Sequence, residues 1–207
     1  SYDPEPAATA KNVVVVGAGP AGLEAARVAA ERGHSVTLYE KKGSVGGLLE
    51  FANNVKGPHE NLSVLRIYCE RQMEVLGVNV MLNTEATADI IAEASPDIVI
   101  AATGGVRDTL GLSDTAGTKV VGIDDFMMAD IAEEVVIVGS NVQAIDAAMY
   151  LLAQGKHVQV VTPNAASAIG AGHSFWVKTF TQPNMKALGV RFWPEATVTA
   201  VNDGSVT

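Results

Sequence analysis

Shifted by 122 residues, the chain lies over itself without a gap: Gly17 falls on Gly139, Gly33 on Gly155 and Val36 on Val158. Each copy opens on a short β-branched apolar run (Val13 to Gly17, Val135 to Gly139), as a strand buried on both faces requires. An Ala-rich, helix-forming stretch follows (Pro20 to Arg32, Val142 to Gln154), stopped by a glycine and succeeded by a second strand (Ser35 to Glu40, His157 to Val161). Two β-α-β units in one register predict an α/β chain of two Rossmann-like nucleotide-binding units, three-layer with parallel sheets.

The remaining pattern fills in around the repeat. Helical spacing links Leu62, Leu65, Cys69, Met73 and Leu76, and strands are expected over Val78 to Leu82 and, fully buried, Ile98 to Ala102. After Thr162 the reading is an irregular loop, then a helix from Val177 to Leu188 broken at Pro183. A strand over Thr197 to Val201 then turns at Asn202-Asp203-Gly204 into a returning strand. The expected organisation is a linker over residues 1–11, a first unit over 12–105, a connector over 106–134 and a truncated second unit over 135–207. The Pro- and acid-rich start at Ser1 and the stop inside a hairpin arm read as a piece of a longer chain.

With 48% hydrophobic residues among 207, a buried core is affordable and disorder is excluded. A net charge of −9 opposes the phosphates of nucleic acid and of anionic membrane, so neither is an expected partner. Apolar runs stop short of the roughly 18 residues that span a bilayer, and the opening lacks the apolar core of a signal peptide. Cys69 stands alone, which rules out an internal disulfide or a CxxC redox pair and points to a reducing, cytoplasmic setting.

Gly17-Ala18-Gly19-Pro20-Ala21-Gly22 sits between a strand and a helix, where a GxGxxG acquires meaning. Gly17 permits the tight turn, Gly19 lets a diphosphate reach bare main chain, and Gly22 lets helix and strand approach. The helix start offers N–H groups and a positive dipole end to the phosphates. Glu40 closes the second strand, 18 residues past Gly22, where a carboxylate accepts both hydroxyls of an adenosine ribose. The ligand expected here is an adenine dinucleotide, or at least its ADP portion.

Which dinucleotide is a question of resemblance. Past Glu40 and Lys41 comes a Gly46-Gly47 pair, and Ala101-Ala102-Thr103-Gly104 ends an apolar strand. Gly46-Gly47-Leu48-Leu49, a proline before a helix, Arg71-Gln72, Leu76-Gly77-Val78 and Asn83-Thr84-Glu85-Ala86-Thr87 continue the pattern. So do Thr181-Gln182-Pro183-Asn184-Met185 and Ala187-Leu188-Gly189-Val190. Together these resemble the C-terminal FAD/NAD(P)-binding region of multidomain old-yellow-enzyme-like flavoproteins, the group of 2,4-dienoyl-CoA reductase, trimethylamine dehydrogenase and NADH:flavin oxidoreductases. The resemblance implies FAD held by Gly17, Gly19, Pro20, Ala21, Gly22, Glu40, Lys41, Gly46, Gly47, Ala86, Thr103 and Gly104. It also implies a parent enzyme with an FMN-bearing barrel and an iron–sulfur cluster, neither of which is in these residues.

The second glycine loop departs from the first. Gly139-Ser140-Asn141-Val142-Gln143-Ala144 keeps the first glycine and an accepted Ala144, but Asn141 stands where backbone should be bare, and Glu40 maps onto Thr162. Two readings stay open: NAD(P)H binds this half in the parent, or the half is a structural relic. Accordingly the chain reads as an electron-transfer module of a larger flavin-dependent oxidoreductase, or as a non-catalytic ADP-binding domain of an amine-dehydrogenase-like flavoprotein. Cys69 reads as a buried structural thiol, His34 and His157 as solvated and His59 as part of a helix entry. His173 reads as core or interface packing. No metal set and no nucleophile–base pair are expected.

Overall fold

The computed structural model describes residues 4–57, 61–105 and 110–207, with the side chains of Trp176 and Val177 also left aside. The helix-entry reading of His59 and the first residues of the expected linker and connector lie outside the described residues. The chain divides into two compact units, Ser1–Gly105 and Val106–Thr207.

In the first unit, β1 (Asn12–Val16), α1 (Pro20–Glu31) and β2 (Ser35–Tyr39) form the predicted β-α-β. They are followed by α2 (Leu48–Lys56), α3 (Leu62–Val75), β3 (Asn79–Met81), α4 (Ala88–Glu93) and β4 (Ile98–Ala101). The strands make one parallel sheet in the order β3-β2-β1-β4, with Val14 beside Thr37 on one side and Val99 on the other. The central place of β1 explains its unbroken β-branched run: Val13, Val14 and Val15 are at most 2% exposed. Leu23 and Ala26 of α1 and Met73 of α3 pack on the same core, and full burial of a residue such as Leu23 contributes about 2 kcal/mol. The apolar run of β4 predicts a buried strand. Instead β4 pairs with β1 alone at the sheet's edge, and Ile98 and Val99 are exposed.

Cys69 lies in this core, and burial pushes its thiol pKa up, with Glu24 adding to the shift. A protonated, covered thiol reacts slowly. Alkylation of the native protein by iodoacetamide at mildly alkaline pH is expected to run roughly a hundredfold slower than in denaturant. Equal rates would contradict the packing.

The second unit repeats the first residue for residue: β5 (Glu134–Val138), α5 (Val142–Ala153) and β6 (His157–Val161) are β1, α1 and β2 displaced by 122. The strand β7 (Arg191–Trp193), preceded by α6 (Phe175–Ala187), completes a parallel sheet in the order β5-β6-β7. Contrary to expectation, α6 is not broken at Pro183. Burial of Met185 beyond the proline and a Gln182 side chain donating to the Ile169 carbonyl (2.9 Å) hold the last turn despite the lost backbone bond. The predicted hairpin is present but shorter, β8 (Val201–Asn202) pairing antiparallel with β9 (Ser205–Val206). Among the described residues no helix is long and apolar enough to cross a membrane.

Candidate functional site

The first glycine loop is shaped by what its neighbours leave no room for. Gly17 turns at φ +99°, and a Cβ there would stand 2.4 Å from the Ala102 carbonyl oxygen at the end of β4. A Cβ on Gly22 would meet the Gly17 carbonyl oxygen at 1.8 Å, so α1 approaches the turn only because position 22 lacks a side chain. Gly19 differs. Its φ of −73° suits any residue, and a Cβ there would find nothing within 4 Å. The glycine that packing does not need is therefore the one facing open space.

That opening lies at the start of a helix whose donors are uncommitted. Gly19 is the N-cap of α1, no side chain caps it, and Pro20 occupies the first turn. A helix start of this kind presents first-turn N–H groups to whatever enters. The Gly46-Gly47 loop runs along the same edge: Gly46 N–H donates to the Ala18 carbonyl (2.8 Å), and a Cβ on Gly47 would lie 3.0 Å from Gly19 Cα. Arg66, on α3, packs its stem over Gly46 and brings a cation to this loop, bonded to Glu70 at 3.2 Å. Arg66 carries no signal in the sequence, because its nearness to Gly46 depends on how α3 packs.

Glu40 is buried at 8% exposure, just past the end of β2. One carboxylate oxygen accepts from the Ala18 N–H and the other from the Lys42 N–H, both at 2.8 Å. Each oxygen has a second acceptor site. The two free sites lie on one carboxylate beside the glycine loop, a match for a vicinal diol. The residue is braced from behind by the Asn83-Thr84 turn, since Thr84 N–H donates to the Glu40 carbonyl (2.9 Å) and Asn83 N–H to that of Lys42 (3.0 Å). Ala86 follows that turn half-buried, Lys41 and Thr103 are exposed, and Gly104 takes φ +76°.

In the second unit the backbone is retained and the chemistry changed. Gly139 turns at φ +122°, and Asn141 caps α5 with φ −74° and ψ −178°, almost the −73° and 179° of Gly19. The Asn141 carboxamide oxygen accepts the Ala144 N–H at 3.0 Å. Ser140 and Thr162, which match Ala18 and Glu40, are 3% and 0% exposed and hydrogen-bond to each other at 2.9 Å. The Asn164 N–H, matching that of Lys42, donates to Thr162 Oγ1 at 3.2 Å.

The described histidines have partners of their own. His34 Nδ1 accepts from the Lys11 N–H, and exposed His157 pairs with Glu134 at 2.6 Å, a hydrogen bond that raises its pKa. His173 Nε2 is buried 3.6 Å from the Asp146 carboxylate. Among the described residues no group of three His, Cys, Asp or Glu is placed to hold a metal.

The model of the pyridine nucleotide-disulphide oxidoreductase family matches residues 11–207. NADH oxidase of Thermoanaerobacter brockii is 39% identical over 73% of the chain and 24% of its own length. N,N-dimethylglycine/sarcosine dehydrogenase of Chromohalobacter salexigens is 35% identical over 78% of the chain and 25% of its own. A solved 2-naphthoyl-CoA reductase is 34% identical, superposes with a TM-score of 0.85 and covers 98% of the chain, while the chain covers 30% of it. The chain thus spans about a quarter to a third of proteins of the multidomain flavoprotein kind that its sequence resembles. It belongs to the pyridine nucleotide-disulphide oxidoreductase family, whose domains bind FAD and pyridine nucleotides within flavin-dependent oxidoreductases.

Proposed function

We propose that the first unit holds FAD by its ADP portion and serves as the electron-transfer module of a larger oxidoreductase. The observation carrying this is the pairing of an uncapped, unobstructed helix start at Gly19 with a buried carboxylate, Glu40, which is hydrogen-bonded to the same loop through the Ala18 N–H. The diphosphate is taken by first-turn N–H groups at Ala21 and Gly22, with Gly46-Gly47 and the Arg66 cation beside it. Glu40 keeps two acceptor sites for the ribose hydroxyls while its backbone donors lock its orientation. Lys41, Ala86, Thr103 and Gly104 line the approaches to these groups. Bound FAD supplies the hydride and electron chemistry, and the chain supplies position, charge and exclusion of water. Disulfide chemistry, despite the family's name, is not assigned to this chain, whose single thiol is buried.

The FMN-bearing barrel and iron–sulfur cluster of the parent form part of this proposal, supported by relatives three to four times longer than the chain. A second reading, an ADP-binding domain with no flavin of its own, is favoured by the self-capped Asn141 loop of the second unit. Calorimetric titration of the 207-residue protein with ADP tests the shared claim: a saturable one-to-one heat is expected, and its absence would end both readings. Heat-denatured supernatant of the full-length protein then separates them, yellow FAD supporting the module and ADP the structural domain.

A further inference from the structure

We infer that the second unit is closed to a pyridine dinucleotide at its glycine loop, so that a parent built on this chain exchanges electrons elsewhere. A dinucleotide asks three things of such a loop: free helix-start donors, bare backbone at the second glycine, and a hydrogen-bonding partner at the end of the second strand for the ribose. The chain's own atoms occupy one helix-start donor, the second-glycine position and the ribose position. The Asn141 side chain accepts the Ala144 N–H, a first-turn donor that a diphosphate would otherwise use. The same side chain begins where the first loop has 4 Å of open space, on a backbone of almost identical dihedral angles.

The ribose position is closed in a matched way. Where the first unit has a carboxylate with two acceptor sites to spare, the second has a buried, uncharged hydroxyl pair, Ser140 and Thr162. Thr162 Oγ1 also accepts the Asn164 N–H, as Glu40 accepts that of Lys42. No cationic residue directly follows Thr162 in the sequence, where Pro163 and Asn164 stand. A crossing segment is present in both units, Gly46 N–H on the Ala18 carbonyl at 2.8 Å and Gly170 N–H on that of Ser140 at 2.6 Å. The β-α-β frame is therefore retained, while the recognition groups upon it have been exchanged.

Amide NMR of the 15N-labelled 207-residue protein, titrated in separate samples with NADH, with NADPH and with ADP, tests this. The expectation is no saturable shift at Gly139, Ser140, Asn141 or Ala144 up to millimolar nucleotide. Saturable shifts at those amides would overturn the inference. The ADP arm, read at Gly17 to Gly22, scores the first unit independently, so failure there leaves the NADH result decisive for the second. The self-cap has its own readout: Asn141→Gly should speed hydrogen exchange at Ala144 about tenfold. An Ala144 amide already exchanging at the unprotected rate in the parent sequence would overturn it too.

Discussion

Gly22→Ala is expected to keep the first unit from its native packing, whereas Gly19→Asn should leave it folded and weaken nucleotide binding. The two glycines sit three residues apart in one loop, yet physical reasons for them differ. An alanine at 22 drives a methyl group to 1.8 Å from the Gly17 carbonyl oxygen. That oxygen has little freedom to retreat, because Gly17 N–H is bonded to the Tyr39 carbonyl at 2.8 Å and the turn is pressed against Ala102. Overpacking of this kind costs about 3 kcal/mol, a large fraction of the stability of a small unit. At position 19 the second unit has already performed the experiment, since Asn141 occupies the same dihedral angles and caps its helix. Gly19→Asn should therefore raise stability by a few tenths of a kcal/mol while weakening ADP binding roughly tenfold or more. Thermal unfolding and calorimetry read the two effects separately. An unfolding midpoint unchanged in Gly22→Ala, or ADP affinity unchanged in Gly19→Asn, would contradict this account of the loop.

Replacing Glu40 costs stability as well as binding. Its carboxylate is the acceptor for two backbone donors, Ala18 N–H at a fully buried residue and Lys42 N–H. Glu40→Ala strands the first of these away from water, and hydrogen bonds to a charged acceptor are worth about 1.5–3 kcal/mol each. A loss of roughly 3 kcal/mol in urea unfolding is expected, with loss of adenosine recognition. Glu40→Gln keeps one acceptor but turns an NH2 toward the other donor, so an intermediate loss should follow. A urea transition indistinguishable from that of the unaltered protein would mean that Glu40 neither braces the loop nor is held by it.

Much of the fold was legible because period and punctuation agree. Gly33 and Gly155 end their helices, and the β-branched runs at Val13 and Val135 can only be strands, so the six repeated elements were read to within a residue or so of their bounds. What stayed hidden is short or held by packing. Helix α2 carries Asn53 and Asn54, weak helix formers, and stands because Leu49 and Val55 are buried. Helix α4 is six residues long with none buried, and is capped by Thr87, whose hydroxyl accepts the Ile90 N–H. Pro183 ends a helix by propensity alone, and the helix continues past it because Met185 is buried. At the site, the glycines and Glu40 are visible in spacing alone. The donors that clamp Glu40 are main-chain atoms and leave no mark in sequence. The Ser140–Thr162 pair was traceable, since the 122-residue offset sets it against Ala18 and Glu40, two replacements that make sense together.

A structure of the protein bound to ADP or FAD tests the central claim most directly. The diphosphate is expected against the Ala21 and Gly22 N–H groups, with both adenosine ribose hydroxyls on the Glu40 carboxylate. A nucleotide bound at the Gly139 loop, or bound at the first loop with its ribose away from Glu40, would contradict it.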